Sequence, residues 1–197
     1  NNIERKLFGT SLSSLKKHSH ISPILIDNPS SNDFIGSIND KYDFILTSGG
    51  PLYSKELIDS AKIASINVHS GYSPDIKGGN STNWALYFRK MEWVGVTIHL
   101  LSTGADDGPI LNRSLTVIDE DDTNESIFLK TYALGTELMI STLRDSFDQG
   151  YFTCYNQPKY YGNTYRSYDW TPAIKFSVWL DVLLGNTFRE YKRMRRF

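Results

Sequence analysis

The chain has 197 residues, 40% of them apolar and 22% charged, with a formal net charge of -1. That length supports one ordinary domain with a sizeable core. The near-neutral balance disfavours a dedicated nucleic-acid binder, which carries a basic surplus. No run of about 18 apolar residues marks a membrane span, no secretory leader is read at the start, and the single Cys154 can form no internal disulfide; a cytoplasmic protein is expected.

In chain order, the short apolar runs 24–26 and 42–47 and the stretch Ile66 to His69 read as strands, separated by helix-like segments in a βαβ pattern. Ser54 is an N-cap candidate for a helix through Asp59. Gly78 to Ser81 reads as a turn, followed by a helix from about Thr82 to Lys90. From Val94 to Leu101 the pattern alternates, with Val94, Val96, Ile98 and Leu100 on one face and Gly95, Thr97, His99 and Leu101 on the other. A loop over 102–109 leads to a second strand near Ile110 to Ile118, so this pair is expected to be antiparallel. The clearest helix spans about Asn124 to Phe147, with Asp122 and Glu125 in a capping-box-like start and Gly150 just past its end.

Beyond residue 150 the chain turns aromatic, from Tyr151 through Tyr160, Tyr161, Tyr165 and Tyr168 to Trp170. Thr171-Pro172 then opens a helix carrying Ile174, Phe176, Val178, Trp179, Val182 and Leu183, which stops at Gly185 before a basic tail. Packing on its own domain is the default for this helix, and a homodimer contact is the alternative. The pair His18 and His20 reads as a solvated loop, and the arginine-rich tail as a solvated face. The chain therefore divides into a domain over 1–150 and a C-terminal extension over 151–197 packed on it. The expected fold is α/β, a mainly parallel twisted Rossmann-like sheet with one antiparallel strand pair.

Asn67-x-His69 falls at the carboxyl end of a predicted strand, where open α/β sheets bind ligands. Taken alone, a strand-end histidine more often just satisfies hydrogen bonds. The ordered series Asn67-Val68-His69-Ser70, Pro74, Lys77-Gly78, Trp84-Ala85-Leu86, Gly95 to His99 and Gly104-Ala105-Asp106-Asp107-Gly108-Pro109-Ile110-Leu111 adds context. This series resembles the signature of the folate-dependent formyltransferase family, which includes enzymes acting on glycinamide ribonucleotide, methionyl-tRNA and nucleotide-linked amino sugars. The resemblance covers roughly residues 42 to 145. It implies that Asn67, His69 and Asp106 are catalytic, with His99 supporting them and Asp107 at a variable position.

By that resemblance the formyl donor is 10-formyltetrahydrofolate. Its pterin would lie between the loop Gly49, Gly50, Pro51, Leu52 and Tyr53 and the loop Ser102, Thr103 and Gly104. An attacking amine builds negative charge on the formyl oxygen. A side-chain amide and an imidazolium can hold that charge, one such donor contributing about 10²–10³ in rate. A carboxylate beside the imidazole favours its charged form and can relay the amine proton. No G-x-S-x-G elbow points to a serine hydrolase, and no ligand spacing points to a metal.

The acceptor is expected to be a small-molecule amine, on a nucleotide-linked sugar. Lys77, Trp84, Tyr165 and Arg166 are candidate substrate contacts: aromatic faces for a base and cations for phosphate. Another small amine, glycinamide ribonucleotide, or a catalytically silent binding module are the alternatives. Methionyl-tRNA is disfavoured because only a short segment follows the long helix, and nucleic acid and membrane are not expected partners. The family's opening strand, helix and second strand are not found, and Asn1 to Leu25 resembles the later part of that half.

Overall fold

The computed structural model describes residues 25–159 and 161–196. Ile24, His18, His20, Tyr160 and Phe197 thus lie outside the described residues. The expected strand over 24–26 finds no support in its described part, since Leu25 and Ile26 belong to no strand and Leu25 is 97% exposed.

Helix α1 (Asn32–Ile38) precedes strand β1 (Phe44–Ser48). The short α2 (Lys55–Ile58) is capped by the Ser54 hydroxyl, which accepts from the Leu57 amide. Strand β2 (Ala64–His69) follows, then β3 (Ile76–Gly78) and α3 (Ser81–Tyr87). After a 3-10 turn at Met91–Trp93 come β4 (Gly95–Leu100) and β5 (Ile110–Leu115). Helix α4 runs over Asn124–Gln149. The C-terminal segment adds β6 (Asn163–Tyr165), α5 (Pro172–Leu183) and α6 (Asn186–Met194).

The fold is α/β, as expected, and its main sheet is mixed. The strand order is β1-β2-β4-β5. β1 and β2 are parallel, whereas β2 and β4, and β4 and β5, are antiparallel, so antiparallel pairing extends beyond the hairpin read from the sequence. A second, two-stranded sheet joins β3 to β6 in parallel, tying the 161–170 segment to the connection after β2.

Caps explain where the helices begin and end. The α4 capping box is made by Thr123 and Ser126, each side chain serving the other's backbone amide, rather than by Asp122 and Glu125. The register differs because Asp122 is committed elsewhere: it accepts from the Ser126 hydroxyl and from Lys130. Gly150 closes the helix in the left-handed conformation, φ 78°. In α5 the inward positions are Ile174, Val178 and Val182, spaced by four, while Phe176, Trp179 and Leu183 face outward.

Two apolar clusters carry the packing. Ile66 and Ile98 meet Met139 of α4, with Phe44, Val68 and Leu138 around them. The larger cluster joins Ile76, Trp84, Leu86, Met91, Val94 and Ile127 to Val178 of α5 and Tyr191 of α6. The polar face of the β2-β4 pair is left for other work.

Candidate functional site

Successive residues of a strand point to opposite faces. In β2, Ile66 and Val68 face the helix cluster, which leaves Asn67 and His69 on the other face. The antiparallel register sets Asn67 opposite His99 and His69 opposite Thr97. Four polar side chains therefore share one face of two neighbouring strands, and all four are buried. Buried polar groups need partners, and the 70–78 connection and the 101–109 loop fold over this face to supply them.

Thr97 fixes the first cover. Its hydroxyl donates to the Gly71 carbonyl at 2.7 Å and accepts from the Ser73 amide at 2.9 Å. Arg113 donates to the Ser73 carbonyl at 2.6 Å and lies over the Tyr72 ring. Close approach explains Gly71: a Cβ there would stand 2.5 Å from the His69 Nε2.

Asp106 comes from the second cover with φ 50°, in the left-handed region that Asp tolerates better than most residues. One carboxylate oxygen lies 3.2 Å from the Asn67 amide nitrogen and 3.3 Å from the His99 Nε2. The other accepts from the Gly78 amide at 2.8 Å and lies 3.1 Å from the His69 Nδ1. Gly78 is held at φ 88° with no room for a side chain, since a Cβ would meet the Tyr165 carbonyl at 2.1 Å. The β3-β6 pairing thus aims the Gly78 amide at Asp106.

The hydrogen-bond pattern assigns the remaining roles. The Thr47 hydroxyl donates to the Asn67 Oδ1 at 2.8 Å, which turns the Asn67 NH₂ toward Asp106 and His99. His99 Nδ1 faces the Leu100 carbonyl at 2.8 Å, and its Nε2 lies 3.1 Å from the Asn67 amide nitrogen and 3.3 Å from the Asp106 carboxylate. Both nitrogens of His69 face acceptors, Asp106 at Nδ1 and the Ile76 carbonyl at Nε2, 3.1 Å away. A charged ring satisfies both contacts and a neutral ring only one.

Burial opposes that charge. It holds the His69 pKa below the ordinary histidine value even though the Asp106 carboxylate and the Ile76 carbonyl pull upward; His99 and Lys77 add to the lowering. For Asp106, burial alone would raise the pKa. The His69 and His99 imidazoles and the Gly78 amide outweigh it and hold the carboxyl below the usual value.

Sequence reasoning missed Gln157. Its side-chain amide donates to the backbone carbonyls of Asp106 at 2.8 Å and Gly108 at 2.7 Å, pinning both ends of the turn that presents the carboxylate. Only a neighbouring clue exists in the sequence, the polar dipeptide Asn156-Gln157 within an otherwise aromatic stretch. The backbone bridge between Tyr155 and Ile110 brings this segment alongside β5.

The other expected contacts separate. Gly49 to Tyr53 leave the carboxyl end of β1, beside the end of β2 that bears Asn67 and His69, and the Tyr53 hydroxyl donates to the Gly49 carbonyl at 3.2 Å. Gly49, Gly50, Pro51 and Leu52 are exposed. Ser102, Thr103 and Gly104 open the Asp106 loop, and the Ser102 hydroxyl bonds the Asp107 carboxylate. Lys77 lies between the His69-bound carbonyl of Ile76 and the Asp106-bound amide of Gly78. It lines a cavity of about 680 Å³ with Asp107, Pro109, Gln157 and Thr164.

Trp84, Tyr165 and Arg166, the other expected substrate contacts, do not line this cavity. Trp84 is 5% exposed and stacks on Tyr165 with ring centres 5.2 Å apart, edge-on to Trp170 at 5.0 Å. Tyr165 packs against the same cluster. Arg166 lies on the surface, bonded to the Tyr168 hydroxyl. The physical reason is the β3-β6 pairing, which turns this aromatic face toward α3 instead of the cavity. Among the described residues, no group of three or more His, Cys, Asp or Glu side chains is placed to hold a metal ion, and no helix is long and apolar enough to cross a membrane.

Comparison with known proteins gives a consistent result. The sequence model described as Formyl transferase matches residues 41–143. A methionyl-tRNA formyltransferase of Pelobacter propionicus is 33% identical over 99 residues, covering 50% of this chain and 31% of that protein. The chain spans about a third of the length of the curated relatives it matches. Among solved structures, a 4-N formyltransferase from Francisella tularensis superposes with a TM-score of 0.63 at 20% identity, covering 91% of this chain and 73% of that one. A formyltransferase from Anoxybacillus kamchatkensis, solved with UDP-4,6-dideoxy-4-formamido-L-AltNAc and tetrahydrofolate, gives 0.59 at 21% identity, covering 86% and 82%. These structural likenesses show the fold.

Proposed function

Because the chain belongs to the formyl transferase family, we propose that the whole protein moves a formyl group from 10-formyltetrahydrofolate to the amine of a nucleotide-linked amino sugar. The observation that carries this reading is the convergence of the Asn67 amide, His69 and Asp106 on one buried polar face beside a cavity.

The Asp106 carboxylate is itself a guide to what the face can hold. It sits where the Asn67 NH₂, a His69 nitrogen and the Gly78 amide all point at negatively charged oxygen. The same donors suit the oxyanion that forms when an amine adds to a formyl carbon. Such an oxygen reaches them once the carboxylate turns toward the incoming amine. In the reaction a new C–N bond forms to the acceptor amine and the C–N bond to the folate nitrogen breaks. Asp106 takes the proton that the amine sheds, and the departing folate nitrogen takes one back, so charge and protons balance. Asn67 stays in place through Thr47, and His69 through the Ile76 carbonyl. Asn67, His69 and Asp106 are accordingly the catalytic residues of this reading, and His99 orients Asn67.

In this reading the donor's pterin lies against the exposed loop Gly49 to Tyr53, which follows β1, and the Ser102 to Gly104 stretch, which leads to Asp106. The nucleotide-sugar acceptor is supported by the UDP-linked sugar in the Anoxybacillus kamchatkensis formyltransferase complex. A second acceptor, methionyl-tRNA, is favoured by the sequence relatives, which are methionyl-tRNA formyltransferases. Mass spectrometry decides between them: the purified full-length protein is incubated with 10-formyltetrahydrofolate and a panel of nucleotide amino sugars, glycinamide ribonucleotide and charged tRNA. The expected result is that a nucleotide amino sugar gains one formyl in place of one hydrogen. Formylation of charged tRNA alone would install the second reading.

A further inference from the structure

Helix α5 turns its largest apolar side chains away from the core. Phe176, Trp179, Leu180 and Leu183 follow the spacing i, i+3, i+4, i+7 on the face opposite the buried Val178, and Phe176 and Leu183 are 60% and 64% exposed. The exposed Leu184 extends this stripe, and the Phe176 and Trp179 rings lie 5.5 Å apart within it. Exposed apolar residues scattered singly need no explanation, but a contiguous stripe does.

Helix α6 supplies a charged border. It follows α5 through Leu184 and Gly185, and its buried Tyr191 belongs to the same apolar cluster as Val178. The two helices therefore rest on one core and share one outer surface. On α6 that surface carries Arg189, Lys192, Arg193 and Arg196, all exposed, with Arg195 beside them. Between Thr171 and Arg196 the sequence holds six cations and two acids, in a chain whose net charge is -1. Both acids are already engaged, Asp181 by Arg89 and Glu190 by Arg193. Among the described residues, Lys192, Arg195 and Arg196 have no acidic partner.

This surface suits a partner that is apolar and anionic at once. In a two-fold contact the same patch meets itself, so a second copy covers the stripe and brings no free acid to the cations. Nucleic acid answers the cations and makes no use of Leu180, Leu183 and Leu184. An anionic lipid surface answers both features. Aromatic and leucine side chains enter the boundary between head groups and acyl chains, and lysine and arginine meet the phosphates. We propose that the α5-α6 face is a peripheral contact with an anionic phospholipid membrane, one that holds the protein on the lipid surface without spanning it. This departs from the expectation of no membrane partner, because packing, not composition, sets which side of α5 faces outward. The proposal uses none of the residues placed in the formyl-transfer reading and does not rest on it.

Co-sedimentation of the full-length protein with lipid vesicles tests this. The vesicles are phosphatidylglycerol mixed with phosphatidylcholine, or phosphatidylcholine alone. Wild type is compared with a stripe variant, Phe176→Ser with Leu183→Ser, and a cation variant, Lys192→Gln with Arg196→Gln, and melting temperature serves as the folding control. Wild type is expected to pellet with the mixed vesicles, less so at high salt, and to stay in solution with phosphatidylcholine alone. Each variant should weaken binding to the mixed vesicles by at least about 10-fold. A wild type that ignores the mixed vesicles, or binds both kinds equally, overturns the proposal. Equal binding by the folded stripe variant overturns it too, since charge alone then explains the contact, and equal binding by the cation variant does the same. A wild-type dimer that the stripe variant splits, with no vesicle binding, assigns the face to a second copy. Binding of polyuridylate in place of vesicles assigns it to nucleic acid, and either result overturns the proposal.

Discussion

The polar face of β2 and β4 and the aromatic segment 161–170 both hold residue types associated with binding, and the fold uses them in opposite ways. On the strand face, Asn67, His69, His99 and Asp106 hold one another through contacts between 3.1 and 3.3 Å. In the aromatic segment, Tyr165 and Trp170 close over Trp84 as core, while Tyr168 and Arg166 are left on the surface. Residue type alone does not make a site. What separates the two regions is whether neighbouring backbone turns polar atoms toward a common point or apolar faces toward a common core.

The largest effect that would sharpen this contrast is on stability. Trp84→Ala is expected to cost about 3–5 kcal/mol in denaturant unfolding, because it removes a ring stacked on Phe88 and Tyr165 and met edge-on by Trp170. A mutant that unfolds like wild type but binds the acceptor poorly would return Trp84 to the site. On the other side of the comparison stands Gln157, whose contacts are purely positional. Gln157→Ala removes two hydrogen bonds and should lower kcat by at least about 10-fold, and leave KM for the folate donor unchanged. Gln157→Glu, which removes the donating amide, should do the same. An unchanged kcat with raised KM would make Gln157 a ligand contact.

A smaller effect concerns pH. The folded pKa of His69 lies below its unfolded value of about 6.5, so the unfolded chain binds the proton more readily. Stability from a neutral buried His69 is therefore present above about pH 6.5 and is lost as pH falls from there toward the folded pKa. Melting temperature measured from pH 7.5 down to 5.5 should fall more steeply in wild type than in His69→Gln, with about parallel curves counting against the assignment. The smallest effect is expected at Arg166. Arg166→Ala should change stability by no more than about 0.5 kcal/mol and leave acceptor KM alone, and a clear rise in that KM would break the comparison.

Local signals explain what was legible in the sequence. The alternation over 94–101 marks β4, Ser54 and Thr171-Pro172 cap their helices, and Gly150 ends α4. The grouping of Asn67, His69 and Asp106 was legible through the family resemblance, because Asn67 and His69 are two apart on one strand and Asp106 lies in the matching glycine pattern. Long-range pairing was not. The three-residue strands β3 and β6 are too short to show a period, yet their pairing decides that Tyr165 turns inward. Gln157 reaches Asp106 across 51 residues of chain, and no spacing rule covers such a contact. The capping box was read one residue early because Asp122, a good cap by type, is taken by Lys130 and Ser126.

The central claim is that Asp106 is held by Asn67, His69 and Gly78 in order to serve formyl transfer. The most direct test is single-turnover transfer from 10-formyltetrahydrofolate to the accepted amine, in wild type and in Asp106→Asn, with tetrahydrofolate affinity measured alongside. The account predicts that Asp106→Asn slows transfer by at least about 10² while tetrahydrofolate affinity stays near wild type. Near-normal transfer in the purified, folded mutant would contradict it and remove Asp106 from the chemistry.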